Sequence, residues 1–324
     1  GGRFREEDVR VDLLRLALAA RVRLVPERAT RVDVHTREIV TESGERVPAD
    51  VAVLDVGGES AAREHAGNAV LAKPALSLAR LGAWLDGDSG QARTLVLVGG
   101  GAAGTEIALN VSARFPREAL RVTLVEPADR LLPEFSASLG RRALQLLRER
   151  GVDVRLGAQA ETAHARGVTL RGGEDLHADA VVWATGTGPH PLPRASGLPL
   201  THRGLVRVGR DLRVEGSEWL LASGDCAAVA GHEHLARSGV HAVKQGPALL
   251  ANADLLVRAV ERGDDLARVR LAPWRPYPVA PYLVSTGASE ALCALGPVGL
   301  RGRAFLALKH RADGRWLRRY DPNM

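Results

Sequence analysis

Largely apolar runs that end in glycine or another small residue, separated by amphipathic stretches, dominate the middle of the chain. The runs at residues 94–98, 121–126 and 180–184 are typical of parallel strands buried within a sheet. Between them, residues 103–113 and 136–150 repeat apolar positions at helical spacing. This alternation predicts an α/β fold with a parallel sheet.

The amino-terminal part predicts elements that need further strands to pair with. Its pattern indicates a helix over residues 11–20, strands over 29–34, 38–41 and 50–56, and a connecting helix over 75–85. Isolated short strands are only marginally stable, so we expect them to join a larger sheet. We therefore interpret this part as the middle of a domain whose first strand lies upstream.

The carboxyl-terminal part predicts a second strand and helix region followed by a hairpin. Strands are expected over residues 204–212 and 219–221, and a long helix over 238–258. Two further apolar runs, 282–286 and 291–295, have the spacing of a β-hairpin. A small α+β region therefore follows the long helix.

Composition and charge exclude several classes of protein. Of the 324 residues, 45% are hydrophobic and 25% are charged, which is typical of a globular protein with two or three domains. The net charge of +6 is compatible with nucleic-acid binding, but only 4% of residues are aromatic and no nucleic-acid motif is present. We therefore expect no nucleic-acid partner. Residues 301–319, where basic and apolar side chains interleave, fit either a membrane-surface helix or a solvated helical face.

The spacing of the cysteines and histidines predicts neither a disulfide nor a metal site. Cys226 and Cys293 are far apart and outside any CxxC spacing, so neither a disulfide framework nor a local dithiol is expected. His232 and His234 flank a glutamate but lack HExxH spacing, and no metal site is predicted. We expect a cytoplasmic protein, with the cytoplasmic membrane face as the alternative location.

The strongest chemical signal is the glycine-rich turn after the strand at residues 94–98. Its glycines have separate roles, because Gly99 permits a tight turn, Gly101 lets the backbone approach a pyrophosphate, and Gly104 allows close packing of helix on strand. Glu126 closes the next strand roughly 20 residues further on, where a carboxylate contacts an adenosine ribose. The context predicts a dinucleotide site that favours NAD(H), although Arg130 leaves NADP(H) open.

Two further strand ends carry candidate binding residues. The strand at residues 180–184 ends at Thr185 and Gly186, whose small size leaves room for a cofactor over the carboxyl end of the sheet. Asp225 likewise follows a strand and Gly224. Taken alone, Asp225 is better interpreted as a turn or helix-capping residue than as a ligand-binding one.

The order of motifs GGGAAGTE, VVWATG, SGDC and SGVHAVKQGPALLAN resembles the FAD-dependent pyridine nucleotide-disulfide oxidoreductase family. Within it, the chain looks most like type II NADH dehydrogenases, especially the flavoprotein subgroup fused to selenide, water dikinase. The resemblance implies two Rossmann-like domains, with the NAD domain inserted in the FAD domain, and a small α+β carboxyl-terminal domain. It divides the chain into residues 1–90 and 188–262 for FAD, 91–187 for NAD(H), and 263–324.

The resemblance also implies roles for individual residues. Glu106 lies near the nicotinamide, Asp225 binds the ribityl chain, and Lys244 with Gln245 begins the helix that faces the flavin pyrimidine. The turn through Asp55 and Gly57 approaches the diphosphate of FAD. The full set of expected cofactor-binding residues is Gly99, Gly100, Gly101, Ala102, Gly104, Glu106, Glu126, Thr185, Gly186, Asp55, Gly57, Gly224, Asp225, Lys244 and Gln245. No side chain is assigned as a catalytic acid or base, because the flavin supplies the chemistry.

Two departures from the family pattern bear on function. The first GxGxxG, which binds the FAD diphosphate in the family, is missing, and the sequence is interpreted as an amino-terminally truncated one. A redox disulfide is also missing, which favours a diffusible acceptor such as a quinone. The resulting hypothesis is a NADH oxidoreductase with FAD and NAD(H) as cofactors, and with peripheral membrane contact and a homodimer left open. The alternatives are a non-catalytic NADH-binding module and a soluble reductase for a protein or selenium-linked acceptor.

Overall fold

The computed structural model describes residues 11–61, 65–87, 91–235, 239–277 and 281–320. Its α-helices are α1 (Leu13–Ala20), α2 (Leu78–Asp86), α3 (Ala102–Arg114), α4 (Ala137–Glu149), α5 (Pro191–Ala195), α6 (Gly239–Arg262) and α7 (Arg303–Arg318). Short 3-10 helices span Ala75–Ser77, Gly224–Cys226 and Leu266–Arg268.

The strands are β1 (Ala29–Asp33), β2 (Glu38–Thr41), β3 (Arg46–Pro48), β4 (Ala52–Leu54), β5 (Gly58–Ser60), β6 (Val70–Leu71), β7 (Arg93–Val98), β8 (Leu120–Glu126), β9 (Asp153–Leu156), β10 (Ala160–His164), β11 (Gly167–Leu170), β12 (Asp175–His177), β13 (Ala180–Trp183), β14 (Thr187–Pro189), β15 (Val206–Val208), β16 (Leu220–Ala222), β17 (Ala227–Val229), β18 (Tyr282–Ser285), β19 (Ala291–Leu295) and β20 (Val298–Gly302).

The chain folds as two compact units, each made from separate stretches of sequence. The first unit contains Gly1–Leu24, Ser60–Thr187 and Val279–Met324, and the second contains Val25–Glu59 and Gly188–Pro278. The finer division into four domain segments stays a prediction.

The first unit is built around a parallel five-stranded sheet in the order β6-β13-β7-β8-β9. Leu97 and Leu124 from its central strands are fully buried beside Leu109 of α3 and Leu147 of α4. A smaller antiparallel sheet, β10-β11-β12, joins a second buried cluster that includes Val98 and Val125. The α/β class and the parallel strands predicted from the sequence are therefore confirmed.

The carboxyl-terminal segment is part of the same first unit. Strands β18, β19 and β20 form an antiparallel sheet, which packs against α3, α4 and α7. The packing is close, because a Cβ on Gly299 would lie 2.6 Å from the backbone nitrogen of Leu139. Arg150 fastens the sheet to α3 by donating to the carbonyl oxygens of Leu109 at 2.7 Å and Thr286 at 2.6 Å.

The second unit contains small sheets packed on the long helix α6. β16 pairs in parallel with β4, and β15 with β17, while β1, β2 and β3 form an antiparallel meander. Leu256 of α6 is fully buried among apolar residues of these strands. Asn252 ties α6 to two loops, since its amide donates to the carbonyl oxygens of Asp211 at 2.8 Å and Ala272 at 2.9 Å.

Several expected boundaries were wrong for local reasons. The strand expected over 204–212 is limited to β15, after which the chain turns, with the Leu212 N–H donating to the Gly209 carbonyl oxygen at 3.0 Å. The strand expected over 50–56 shrinks to β4, and β3 was missed. The hairpin gains a third strand, β20, so Arg301 lies in a strand and the basic helix starts at Arg303. Within the described residues, no helix is both long and apolar enough to span a membrane.

Candidate functional site

The glycine turn lies between the carboxyl ends of β7, β8 and β13. The Gly99 N–H donates to the Val125 carbonyl oxygen at 2.8 Å, and its φ of 107° is one that L side chains rarely adopt. A Cβ on Gly99 would meet the Ala184 carbonyl at 2.9 Å, and one on Gly104 would overlap the Gly99 oxygen at 1.8 Å. Both positions therefore require glycine for packing alone, whether or not a ligand binds.

Gly101 differs from its neighbours, because a Cβ there would face open space. It is the N-cap of α3 and has ordinary backbone angles, and no side chain hydrogen-bonds to cap this helix end. The first amides of α3, starting at Ala102, thus point out of a helix whose dipole favours an anion. Open space at Gly101 beside uncapped amides fits a pyrophosphate.

Glu126 closes the turn from the end of β8. Its Oε2 accepts a hydrogen bond from the Gly100 N–H at 2.6 Å, and its Oε1 accepts one from the Ala128 N–H at 2.8 Å. The side chain is buried, and Gly100 must be glycine because a Cβ would lie 2.9 Å from that of Glu126. Each carboxylate oxygen has a second lone pair, so the group can still accept from a ribose hydroxyl. Its contact with ribose stays a prediction.

Arg130 is held within its own loop. Its guanidinium donates to the carbonyl oxygens of Pro133 at 2.6 Å and Phe135 at 2.9 Å. Arg130 is the cation that the sequence analysis named as a partner for a 2′-phosphate, and these two bonds orient it. The arrangement favours NAD(H), because the carboxylate of Glu126 repels such a phosphate.

Thr185 and Gly186 follow β13 and border the glycine turn. A Cβ on Gly99 would lie 3.0 Å from the Thr185 nitrogen, so the two segments touch. Thr185 Oγ1 accepts a 2.8 Å hydrogen bond from the indole N–H of Trp183, which orients the hydroxyl. A Cβ on Gly186 would meet no atom, so the chain leaves open space after β13, as the sequence predicted for a cofactor.

Glu106 lies on α3 and faces the carboxyl-terminal segment. Its Oε1 accepts a hydrogen bond from the Ser285 N–H at 2.9 Å and lies 3.6 Å from the ammonium of Lys309. Burial, together with the charges of Glu106 and Glu134, raises the pKa of Tyr282 to about 12. Sequence reasoning missed Ser285 and Lys309, which lie about 180 and 200 positions away from Glu106 along the chain.

The expected flavin-binding residues of the second unit form their own cluster. The Gly224 N–H donates to Gln245 Oε1 at 2.7 Å, and a Cβ on Gly224 would lie 2.5 Å from Asp55 Oδ1. Desolvation and the negative charge of Asp225 raise the pKa of Asp55. Both carboxylates, at the ends of β4 and β16, can accept hydrogen bonds from hydroxyl groups. Their binding of a ribityl chain stays a prediction.

Gly57 and Lys244 complete the cluster. Gly57 has a φ of 66°, and a Cβ on it would meet nothing, so a ligand can approach the backbone there. The Lys244 ammonium lies over the ring of Tyr277, 2.7 Å from the ring centre. Lys244 comes one residue before the buried Gln245. That this part of α6 borders a cofactor stays a prediction.

The two cysteines are buried thiols. Cys226 donates to the Ser223 carbonyl oxygen at 3.1 Å, and burial raises its pKa to about 11. Burial also raises the pKa of Cys293, which lies in β19 of the first unit. Neither thiol is activated as a nucleophile, because reactivity requires the thiolate. Within the described residues, no cluster of three or more metal-ligating side chains is present.

Comparison with known proteins agrees with these features. The family model for pyridine nucleotide-disulphide oxidoreductases matches residues 14–253. Among curated proteins, a probable NADH dehydrogenase of Dictyostelium discoideum is 29% identical over 147 residues, which cover 42% of this chain and 33% of that protein. The type II NADH:quinone oxidoreductase of Staphylococcus saprophyticus is 30% identical over 146 residues, covering 41% and 36%. The chain thus spans about a third of the length of these relatives.

Solved structures show the same fold. The ferredoxin reductase for the CYP199A2 system from Rhodopseudomonas palustris superposes with a TM-score of 0.67 at 21% identity, over 90% of this chain and 67% of that one. The reduced CoADR-RHD protein of Bacillus anthracis gives 0.71 at 18% identity, over 94% and 54%. At these identities the likeness concerns the fold alone.

Proposed function

The chain belongs to the pyridine nucleotide-disulphide oxidoreductase family, and we propose that it is the NADH-oxidising part of a flavoprotein that reduces a quinone-like acceptor. The observation that carries the proposal is the glycine turn at Gly99–Gly104, closed by a buried Glu126 whose carboxylate holds the Gly100 N–H at 2.6 Å. Relatives named as NADH dehydrogenases and NADH:quinone oxidoreductases support the same activity.

The first unit supplies the dinucleotide site. The uncapped amides of α3 bind the pyrophosphate across the open space at Gly101, and Glu126 accepts hydrogen bonds from the ribose hydroxyls. The side chain of Glu106 is fixed by Ser285, so its carboxylate enters the nicotinamide region in one orientation. The role of these residues is to bind and orient, with no proton transfer assigned to them.

The second unit supplies residues for a flavin. Asp55 and Asp225 accept from ribityl hydroxyls, Gly57 gives the diphosphate access to the backbone, and Gln245 holds Gly224 in place. A bound flavin would accept a hydride from the nicotinamide and pass electrons onward. The amino-terminal half of α6 directs a positive dipole toward this cluster, which favours negative charge on a ligand there.

The acceptor is proposed to be a diffusible quinone rather than a protein dithiol. Both cysteines are buried and protonated, so neither is poised for thiol exchange. The exposed apolar and basic side chains of α7, none of which is buried, support contact with an anionic membrane surface, where quinones dissolve. Leu308 on this helix is 46% exposed.

Anaerobic mixing of the purified protein with NADH tests the proposal. The flavin absorbance is expected to bleach, and to recover when a water-soluble benzoquinone is added. Protein that binds NADH but carries no flavin would support a non-catalytic NADH-binding module instead. Bound flavin that NADH does not bleach would overturn the proposed activity.

A further inference from the structure

A narrow cavity of about 50 Å³ lies in the second unit beside the proposed flavin cluster. Its polar lining comes from Asp225, Gln245, His232, Glu233 and His241, and the remaining lining residues, Trp274 among them, are largely apolar. The proposed function assigns no role to His232, Glu233, His241 or Trp274.

His241 and Trp274 give the cavity a defined wall. Trp274 is buried, and the rings of His232 and His241 meet it edge-on at centroid distances of 5.9 and 6.3 Å. His241 lies in the first turn of α6, one turn before Gln245, which binds the Gly224 N–H. This stacking holds the His241 ring in one orientation.

The Nδ1 atom of His241 is buried and has no hydrogen-bond partner among the described residues. A buried ring nitrogen requires a partner, and a polar cavity supplies one when it holds water. A water needs roughly 10–15 Å³ of such space, so this cavity of about 50 Å³ has room for about three to five waters.

The proposed reaction needs a path along which a proton can travel from water. In NADH + H⁺ + quinone → NAD⁺ + quinol, the hydride carries two electrons and one proton, so one further proton must come from water. No residue described so far delivers it. A hydrated chain that ends beside Asp225 and Gln245 reaches the cluster proposed for the flavin.

We propose that His241 is the proton-relaying residue of this unit, passing a proton from water in the cavity toward the Asp225–Gln245 cluster. The inference rests on the proposed function. His241 accepts the proton at one ring nitrogen and releases one from the other, so that it ends neutral and no net charge stays in the cavity.

The charges around His241 suit this role. Desolvation and the nearby Lys244 ammonium lower its pKa, so the ring is neutral between transfers at neutral pH. Among the described residues that line the cavity, the other titratable groups are Asp225, Glu233 and His232, and those of β17 and the Trp274 segment contribute none. Protonation of His241 is therefore transient.

The first test observes the ring directly in the unaltered 324-residue protein. Nitrogen-15 NMR of the histidines across a pH series, assigned with His241→Gln, should show a signal that titrates below the ordinary histidine value and exchanges protons with water. A high-resolution crystal structure should show ordered water on Nδ1. A dry cavity, or a His241 signal that never titrates, would overturn the relay.

The second test separates the two half-reactions by stopped flow. His241→Gln should slow reoxidation by a benzoquinone by about 10²-fold, remove its pH dependence on the His241 titration, and spare flavin bleaching by NADH. His234→Gln is the matched control, because His234 is exposed on the same turn and does not line the cavity. Equal slowing of both half-reactions, or of neither, would contradict the inference.

Two further results keep the tests independent. If His241→Gln lowers the melting temperature, His232→Gln, which alters another lining residue of the cavity, makes the same comparison, with slower reoxidation expected. Failure of NADH to bleach the flavin of the unaltered protein would count against the proposed function, while hydration and titration of His241 would still be measured.

Discussion

The backbone N–H of Gly100 donates a 2.6 Å hydrogen bond to Oε2 of Glu126, so the carboxylate proposed to face a ribose also holds the glycine turn closed. One side chain therefore couples the shape of the turn to recognition of the nucleotide. Substitutions that separate charge from shape show how much each contributes.

Glu126→Gln keeps the size of the side chain and removes its charge. We expect NADH to bind about 10- to 100-fold more weakly, because a hydrogen bond to a charged group contributes about 1.5–3 kcal/mol. NADPH should lose less, since repulsion of its 2′-phosphate also disappears. Calorimetric titration with both nucleotides measures this. Glu161→Gln, at an exposed position of β10, is the control and should leave both affinities unchanged.

Alanine at Gly104 should lower stability, while alanine at Gly101 should not. A Cβ at Gly101 meets open space, so Gly101→Ala should fold normally and lose NADH affinity through contact with the pyrophosphate. A Cβ at Gly104 would lie 1.8 Å from the Gly99 oxygen, so Gly104→Ala should cost about 1–3 kcal/mol of stability as α3 shifts. Urea unfolding and NADH titration check both. Normal NADH binding by Gly101→Ala would count against the pyrophosphate site.

Glu106 and Lys309 should stabilise the packing of α7 against α3. Their side chains are only 28% and 25% exposed, and the charged atoms lie 3.6 Å apart. A double-mutant cycle with Glu106→Gln and Lys309→Met should give a coupling free energy of about 0.5–1 kcal/mol. The exposed pair Asp254 and Arg258 on α6 is the control, with a coupling nearer zero. No coupling between Glu106 and Lys309 would show that the ion pair does not form in solution.

Asp55→Asn should stabilise the flavin-free protein at pH 7. The pKa of Asp55 is raised above its ordinary value of 3.8, so the fold favours the protonated form, and stability falls as pH rises through the raised pKa. The advantage of asparagine should shrink as pH falls toward 3.8. Urea midpoints at several pH values measure it, with Asp254→Asn as the control.

The same Asp55→Asn variant should bind FAD more weakly, because an amide accepts fewer hydroxyl hydrogen bonds than a carboxylate. Gain of stability with loss of FAD affinity is the expected pair of results. Unchanged FAD affinity would remove Asp55 from the proposed flavin cluster.

The dinucleotide turn could be predicted because its determinants are local. Gly99, Gly101 and Gly104 fit a strand, a tight turn and a helix within a short stretch, and Glu126 ends the neighbouring parallel strand. The order of such motifs also predicted the fold class, which the parallel sheet of the first unit confirmed.

The contacts of Glu106 could not be predicted, because Ser285 and Lys309 reach it only after the carboxyl-terminal sheet packs on α3. The cavity beside His241 was missed for a related reason. His232, His241 and Trp274 come from a turn, a helix and a loop, and no periodic pattern links them. The end of β15 at Val208 was missed because the strand extends only as far as its pairing with β17, which comes from a distant part of the chain.

The carboxyl-terminal sheet, which packs on α3 and α4, has a consequence for synthesis in the cell. The unit that holds the glycine turn needs residues from Ser60–Thr187 and from Val279–Met324, with the whole second part of the other unit made in between. During translation, the surface of Leu139 and its neighbours stays uncovered until β20 has been made. The nucleotide-binding unit is therefore completed after the other unit has been made, and a ribosome that stalls within β18–β20 leaves an apolar surface for chaperones to protect.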